Sequence, residues 1–459
     1  MLALLIRKEL LDHLLSLRFA MACIICPVVV LSSVFVLARD YRDASFDYRT
    51  NQLMHDDQLQ ETRFPHQLTR NGVFVDTPLN PMKVFFSGVD DAHTSTVRIN
   101  ALAAPERQAN LEMNPVSLLF PVMDLTFVAG IIMSLLAIAF SYDAFSGEKD
   151  LGTLKVVLSY SVPRDLLLLA KWIGGCIALL TPFLMSILLG LLVTLLFPQI
   201  DLRAPDWASL GLALIGALVY LSTIYALGLL VSARTALPST SITVLLLVWV
   251  VMVLVLPNLA PHAARMVVDT PTMQSVEAEK GQLMDEEQGR FNKVWTEYIQ
   301  AAQENDTPME EMVAKYQELE SAMTATVSEG RRKIDADFQR RMDEQIDLTR
   351  NLAKVSPAAL FAISVCDFAG TGVQEANYQR TALDRYATTW GEYAYSKFDP
   401  KIYEGEAQLD LEDYPRFDHE QMPFNDRLAS TSMDMLVLVL WNFTFLLSAW
   451  VSVSRYDVQ

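Results

Sequence analysis

The chain has 459 residues, of which 52% are hydrophobic and 20% are charged, and its formal net charge is -18. A chain that is both apolar and acidic must hold the two properties in different segments, which argues against one water-soluble core and against a nucleic-acid-binding surface. A helix needs about 20 apolar residues to cross a bilayer, because it rises about 1.5 Å per residue and the hydrocarbon core is about 30 Å thick. Six runs in the sequence meet that length.

The predicted elements begin with an amphipathic helix over residues 1–16. The six predicted spans cover residues 17–37, 121–142, 167–197, 207–231, 239–256 and 433–453. Polar faces hardly alternate with apolar ones inside these runs, so a soluble protein would have to bury all six in a single core. The sequence therefore predicts an all-α polytopic membrane protein with six transmembrane helices.

Lys and Arg residues in short connections decide the orientation of such a chain. The connection between the third and fourth spans carries Asp201 and Asp206 against Arg203, whereas the next connection carries only Arg234. Both connections predict that the N- and C-termini are cytoplasmic. The segments then predicted in the cytoplasm are residues 143–166 and 454–459, and those predicted outside are residues 38–120 and 257–432.

The larger external segment is predicted to contain a helical hairpin. Residues 271–354 are rich in helix-forming residues, with apolar positions at helical spacing. Thr307 is predicted to cap the second helix, with Pro308 at its first position. A short apolar helix is then predicted between Ser356 and Gly370; it is too short to span and should lie on the membrane surface or at the base of the hairpin.

The external segments carry most of the acidic charge. Residues 257–431 hold 18 basic and 32 acidic side chains, which is typical of a soluble surface and would also attract a cationic partner. In the smaller segment, the short runs VFV at 73–75 and KVFF at 83–86 predict a few β-strands. The four cysteines do not form a disulfide pattern, because three lie in spans and the fourth is alone.

A charged, glycine-broken stretch, FSGEKDLGTLKVVLSYSVPR, separates the second and third spans at residues 145–164. Pro163 ends its helix, because proline disfavours helix at the residue before it. The stretch predicts a short helix along the membrane surface that would dock into a cytosolic partner, although an amphipathic linker would have the same pattern. The predicted faces are Glu148, Lys149 and Asp150 toward water and Leu154, Val157 and Leu158 opposite.

This stretch resembles the signature loop of permease subunits of ABC transporters with the type V exporter fold. In that family the loop forms the coupling helix that docks into the ATPase. The six spans with both ends inside are similar as well, and the large insert between the fifth and sixth spans resembles that of a subgroup. The positions that the resemblance assigns to ATPase coupling are Phe145, Glu148, Lys149, Gly152, Thr153, Leu154, Leu158, Pro163 and Arg164.

The resemblance implies a permease subunit of an exporter in the bacterial inner membrane. Its implied partners are a cytosolic ABC ATPase dimer, a second permease chain, identical or related, and membrane lipid. No G-x-x-x-x-G-K-[ST] motif occurs, so we expect no catalytic residue and no cofactor bound directly, with ATP and Mg²⁺ in the ATPase subunit. In the family the second and fifth spans line the path, which implicates residues 127–140 and 243–256.

A second class of function is mechanotransmission, in which the same ATPase cycle moves the external hairpin against a periplasmic partner and nothing crosses the spans. A membrane sensor without an ATPase would leave the loop at residues 145–164 unexplained. The sequence leaves the substrate and the direction of transport open.

Polar residues within the spans have two interpretations. Asp124 and Asp434 lie near the outer ends, where water would reach them. Hydroxyl and amide side chains could line a path, but bridging between helices is commoner. This set comprises Thr181, Ser186, Thr194, Ser222, Thr223, Thr243 and Asn442, and the predicted interface anchors are Trp172, Trp207 and Trp450.

The histidines do not predict a metal site. None lies three or four residues from another histidine or from a cysteine, and only His419 and Met422 form a close pair. The histidines considered are His55, His66, His93, His262 and His419.

Overall fold

The structure is a computed structural model that describes residues 1–89, 96–100, 105–107, 123–159, 162–304, 307–398, 402, 409–419 and 421–456. It is mainly helical. Six helices of the described part are long and apolar enough to cross a membrane. The prediction of a polytopic protein with six spans is confirmed to that extent.

The spans are numbered here from 1 to 6 in chain order. They are Leu17–Gln60, Leu125–Asp150, Arg164–Thr194, Ala204–Arg234, Pro238–Val267 and Phe424–Ser454. An N-terminal helix, Leu2–Leu14, precedes span 1. Spans 2 and 5 each contain a π-helical turn, at Val128–Met133 and Val250–Val255.

The helix of span 1 extends beyond residue 37, where the predicted span ends. It continues as one helix of 44 residues to Gln60, because residues 38–64 contain neither glycine nor proline and Pro65 is the first helix-breaking residue. The segment predicted as residues 38–120 therefore begins with a helical extension of span 1. Span 2 likewise runs on to Asp150, into the predicted loop. The predicted start of span 2, at residues 121 and 122, lies outside the described residues.

Span 4 packs closely against its neighbours because glycines remove side chains at two contacts. A Cβ atom at Gly228 would lie 1.8 Å from Ser141 Oγ of span 2. At Gly175 of span 3, a Cβ atom would lie 1.8 Å from the Tyr225 hydroxyl of span 4. Small residues of this kind let membrane helices approach one another, since packing rather than hydrophobic burial drives their association.

The predicted hairpin consists of a first hairpin helix, Met273–Glu304, and a second hairpin helix, Met309–Ala353. Pro308 is the N-cap residue of the second helix, so the predicted cap at Thr307 lies one residue too early. Lys280 Nζ pairs with Asp335 Oδ1 of the opposite helix at 2.7 Å. The predicted hairpin turn includes residues 305 and 306, which lie outside the described residues.

The short apolar helix, Pro357–Ala369, is packed inside the bundle rather than on the membrane surface. It contacts spans 4 and 6, and the ring of Phe361 stacks on Tyr220 of span 4 at 4.6 Å. Ser356 caps its start by accepting from the backbone N–H of Ala359. Gly370 ends it in the left-handed region, with φ +67°. The helix was predicted to lie either on the membrane surface or at the base of the hairpin, and the structure places it at the base of the hairpin.

Buried charges join the hairpin to the bundle at this base. Arg350 Nη2 of the second hairpin helix lies 2.5 Å from Asp434 Oδ2 of span 6 and 2.9 Å from Asp367 Oδ2 of the short apolar helix. Lys354 Nζ lies 3.7 Å from Asp434 Oδ1. Burial raises the pKa of Asp367 to about 6, although Arg350 favours the charged form.

The two aspartates expected to meet water at the ends of spans are buried and have partners. Asp434 belongs to the cluster with Arg350. Asp124 caps span 2: its carboxylate accepts from the backbone N–H of Phe127 at 2.8 Å and of Ser87 at 3.0 Å. Burial is tolerated because each charge is compensated.

The described residues between spans 1 and 2 form three short antiparallel strands: β1 (Val73–Asp76), β2 (Thr96–Ile99) and β3 (Glu106–Arg107). They pack against a return helix, Val373–Ser396, whose Trp390 is fully buried. The KVFF run, in contrast, is not a strand. Its start belongs to a 3₁₀ helix, Pro81–Val84, because Asn80 caps that turn by accepting from the backbone N–H of Met82.

Replacing Arg350 by methionine should destabilise the protein strongly. Arg350→Met leaves Asp367 and Asp434 buried without their shared cation, and removing one partner from a buried ion pair costs about 3 to 5 kcal/mol. The measurement is the thermal unfolding temperature of the full-length protein in detergent. The matched control is Arg340→Met in the same helix, where the Arg340–Asp337 pair is exposed and we expect no measurable change. Equal unfolding temperatures for the two variants would contradict the assignment.

Candidate functional site

The loop between spans 2 and 3 contains two helical segments. Residues Ser146–Asp150 continue span 2, and a loop helix covers Thr153–Ser159. Gly152 lies between them with φ +71°, a conformation that favours glycine, so this residue allows the chain to change direction. Residues 160 and 161 of the predicted coupling stretch lie outside the described residues.

The beginning of the loop is anchored to the end of span 4. Phe145 is buried, and its backbone N–H donates to Ser232 Oγ at 2.9 Å, as does that of Ser146 at 3.0 Å. Lys149 Nζ donates to the carbonyl oxygens of Ala233 and, at 3.0 Å, Thr235. A lysine at this position satisfies carbonyls that the end of a helix leaves without partners.

Glu148 belongs to a buried ion-pair network. Glu148 Oε1 lies 2.8 Å from Lys171 Nζ of span 3, and the same ammonium lies 3.2 Å from both carboxylate oxygens of Glu9 in the N-terminal helix. Lys8 completes the network, 3.2 Å from Glu9 and 3.8 Å from Glu148. Lys8 also lies 3.6 Å from Asp12, so three carboxylates share two ammonium groups.

The directions of the pKa shifts of two charged residues in the N-terminal helix agree with this arrangement. Burial alone would raise the pKa of Glu9, but Lys171 and Lys8 outweigh burial and hold that pKa below its ordinary value. Burial likewise opposes the charged form of Lys8, yet Glu9 and Glu148 raise the pKa of Lys8. Both shifts favour the charged forms of Glu9 and Lys8.

The end of the loop is attached to span 6. Arg164 donates to the carbonyl oxygen of Ser454, and its Nη1 lies 3.5 Å from that of Val453. Pro163, which is exposed, occupies the cap position before span 3. Through Glu148, Lys149 and Arg164, this one loop is connected to spans 3, 4 and 6 and to the N-terminal helix.

The prediction that Glu148 and Lys149 face water is wrong. Both side chains instead make contacts within the chain. Leu154 is buried and Leu158 is half-buried, in agreement with the predicted apolar face, and Thr153 Oγ1 donates to the carbonyl of Glu148 at 3.3 Å. The exposed side of the loop is formed by other residues. Leu151 is 78% exposed and Val156 is 55% exposed, and their exposed neighbours are Asp150, Lys155 and Ser159.

Sequence reasoning missed Glu9 and Lys171, although a signal was present. Lys171 is a charged residue near the start of the predicted third span, where a charge needs a partner. Glu9 is an acidic residue in the amphipathic N-terminal helix. Their pairing was not visible, because 162 positions separate them in the chain.

Polar side chains within the spans mostly bond to their own helices. Within the predicted set, Ser222 and Asn442 instead bridge helices: the Ser222 hydroxyl receives the Trp172 indole N–H at 3.1 Å and the Asn442 amide N–H at 2.8 Å, which joins spans 3, 4 and 6. Trp172 therefore makes a bridge inside the bundle, whereas Trp207 and Trp450 are exposed, as an interface anchor requires. Those that bond to carbonyls of their own helix are Thr181, Ser186, Thr194, Thr223 and Thr243.

No group of three or more His, Cys, Asp or Glu side chains suited to a metal ion occurs among the described residues. His419 Nε2 faces the Gln379 amide at 3.3 Å and lies 3.8 Å from Glu375 Oε1. His93 lies outside the described residues.

Six spans, a large insert between spans 5 and 6, and a loop connected to three spans define a polytopic membrane protein of the transporter-subunit class. The model of the ABC-2 family transporter proteins matches residues 3–458, and the chain belongs to that family. The resemblance read from the loop is thereby confirmed at the level of the ABC permease family.

The chain is also similar to the probable ABC transporter permease protein NosY of Pseudomonas aeruginosa. The two are 32% identical over 119 residues, which make up 25% of this chain and 43% of NosY. The chain therefore matches less than half the length of this relative.

Replacing Lys171 by methionine should release the N-terminal helix. Lys171→Met leaves Glu9 and Glu148 buried without the cation between them, so residues Leu2–Leu14 should open more often. We expect amide hydrogen exchange in that helix to accelerate by about tenfold or more, which corresponds to about 1.4 kcal/mol.

The matched control for that experiment is Lys155→Met, which removes an exposed lysine from the loop helix. Adding Glu9→Gln to Lys171→Met should restore part of the protection, since one uncompensated charge disappears. Unchanged exchange in Lys171→Met would show that the network does not hold the N-terminal helix.

Proposed function

We propose that this chain is the non-catalytic permease subunit of an ATP-driven ABC exporter, and that the loop at residues 145–164 docks on a separate cytosolic ATPase. Family membership supports the permease assignment. The observation that carries the coupling role is the attachment of one loop to spans 3, 4 and 6. A push on the loop helix would therefore reach half of the spans directly.

The docking surface is the exposed side of the loop. Leu151 and Val156 are apolar side chains that remain exposed, next to Asp150 and Lys155. An exposed apolar pair with a charged border is suited to a groove in a partner protein. Glu148, in contrast, acts inside this chain: it transmits displacement of the loop to Lys171 in span 3.

The assembly that follows contains two permease chains, identical or related, and a pair of ATPase subunits that hold ATP and Mg²⁺. Six spans form half of such a transporter, with both termini in the cytoplasm of a bacterial cell and the hairpin outside the inner membrane. We assign the chain to the type V fold with a large insert. Spans 2 and 5, each with a π-helical turn, line the path, and the indole N–H of Trp249 donates to Ser134 Oγ between them at 2.8 Å.

Mechanotransmission is the second candidate, and one observation favours it. The second hairpin helix is joined to span 6 through Arg350 and Asp434 at the opposite end from the Arg164 contact. Movement of span 6 would therefore move the hairpin, which could act on a periplasmic partner.

A charged side chain on the exposed side of the loop should abolish ATPase binding. Leu151→Asp places a carboxylate in the proposed apolar contact, and we expect about tenfold or greater loss of an ATPase subunit that co-purifies with the tagged protein from its native membranes. Vanadate-sensitive ATP hydrolysis in the eluate gives a second reading. The control is Leu15→Asp, the same change at a residue 86% exposed on the same predicted side. Equal recovery with both variants would contradict docking through this surface.

Shortening the hairpin separates the two candidates. Replacing residues 285–329 by a short Gly-Ser turn keeps the Lys280–Asp335 pair and the Arg350 cluster, and Leu283 and Gly330 are already in contact. If the chain is an exporter, the shortened variant should keep part of its activity in the native host, and it should still bind its ATPase partner. A mechanotransmitter should behave like a strain that lacks the protein, while ATPase binding persists.

A further inference from the structure

A large cavity lies between the hairpin-side ends of spans 1, 2 and 5, beneath the base of the hairpin. Its volume is about 2090 Å³, roughly twice the upper limit of the 300 to 1,000 Å³ typical of small-molecule sites. The short apolar helix and the second hairpin helix complete its walls. A ligand that fills it must be larger than an ordinary metabolite.

The wall contributed by span 5 changes from apolar to charged along one face. Val253, Pro257, Pro261 and Arg265 recur at intervals of four residues and all line the cavity. The twelve residues from the first to the last correspond to a rise of about 18 Å. Arg265, which is exposed, therefore lies at the rim near the hairpin, and the apolar side chains lie deeper.

Span 1 repeats this order on another wall. Val36 and Leu37 line the cavity one turn before Asp40. On span 2 and the short apolar helix, Phe127 and Phe361 line the cavity. The carboxylates of Asp124 and Asp367, which also line it, have partners within the chain.

Charged side chains of both signs line the cavity: Asp40, Asp124, Asp343, Asp347 and Asp367 against Lys83, Arg265 and Arg350. Asp343, Asp367 and Arg350 have partners within the chain. Asp40, Asp347 and Arg265 are exposed.

The cavity has apolar surface that remains exposed in the described structure. Val36 of span 1 is 53% exposed, and Met123, just before span 2, is 55% exposed. Apolar surface of this extent is covered by a ligand, by lipid or by another protein. The charges of both signs at the rim favour an occupant that carries both charges itself, and the depth of the apolar part favours a hydrocarbon chain.

We propose that this cavity binds a zwitterionic, lipid-like amphiphile. Its hydrocarbon chain lies between spans 1, 2 and 5, its anionic group faces Arg265 and its cationic group faces Asp40 and Asp347. As a substrate class for the exporter this assignment rests on the proposed function, whereas the binding site itself does not.

Photo-cross-linking of the full-length protein tests the site. The protein is reconstituted into vesicles of equal parts phosphatidylethanolamine and phosphatidylglycerol, with a trace of phosphatidylethanolamine that carries a diazirine at its chain end. After irradiation without nucleotide, we expect mass spectrometry to find label enriched about tenfold on Phe127 to Ile131 and on Pro357–Ala369, relative to the lipid-facing surface of span 4. Lysophosphatidylethanolamine should compete better than lysophosphatidylglycerol or a single-chain quaternary ammonium amphiphile.

A variant that fills the cavity provides the decisive comparison. Gly130 lines it, and a Cβ atom there would meet only Phe361, at 3.9 Å, so Gly130→Phe projects a ring into open space. The label in the cavity should fall about tenfold or more, because the site itself is occupied. Gly211→Phe is the matched control at the hairpin-side end of span 4, where a Cβ atom meets nothing within 4 Å, and labelling should not change.

A substitution at the rim keeps the test valid if Gly130→Phe does not fold. Arg265→Glu changes an exposed side chain, and it should shift competition from the zwitterionic amphiphile to the quaternary ammonium amphiphile. Labelling spread evenly over all lipid-facing surfaces, or equal competition by all three amphiphiles, would overturn the proposal.

The outcomes also separate this inference from the proposed function. The cavity could be labelled while no ATPase co-purifies with the protein from native membranes. That result would refute the exporter assignment and leave the binding site intact. Recovery of an ATPase with an unlabelled cavity would overturn only the binding site.

Discussion

The ammonium group of Lys171 sets the arrangement at one end of the bundle. This side chain is 3% exposed, and a buried charge is stable only when carboxylates lie beside it. Glu148 supplies one from the loop and Glu9 supplies the other from the N-terminal helix. The N-terminal helix is therefore not a separate surface feature. Its Glu9 carboxylate completes the compensation of the Lys171 ammonium, which Glu148 of the loop compensates only in part. The N-terminal helix thereby fixes the position of the loop.

The same arrangement, one cation between two carboxylates, occurs at the opposite end of the bundle. There Asp367 and Asp434 are buried acids, and Arg350 is the cation between them. Because the arginine belongs to the second hairpin helix, the hairpin is attached to the bundle by electrostatics as well as by the chain. Both large attachments of the protein, the N-terminal helix and the hairpin, are thus held by a charge shared between distant segments.

The six spans and the hairpin could be predicted because length, hydropathy and helical spacing are local properties of the sequence. The loop was recognised because its residues form a contiguous string. The environment of those residues was not predictable: Glu148 was expected to face water, and its burial depends on Lys171, 23 positions away, and on Glu9 in another helix. Arg350 and Asp434 are separated by 84 positions, and the sequence carries no sign of their contact. The extension of span 1 was missed for a different reason, since its polar surface concealed a continuous helix.

Span 6 connects the two charged ends. Arg164 of the loop bonds to carbonyls at residues Val453 and Ser454, and Arg350 of the hairpin pairs with Asp434 of the same helix. Twenty residues separate Asp434 from Ser454, about 30 Å along a helix, which is the thickness of the hydrocarbon core. A displacement of the loop can therefore reach the hairpin through one continuous helix. This geometry serves an exporter whose outer opening is controlled from the cytoplasm, and it serves a mechanotransmitter equally. The two functions differ in whether a molecule moves through the bundle while span 6 moves, and the cavity beside spans 1, 2 and 5 is the part of the molecule that distinguishes them.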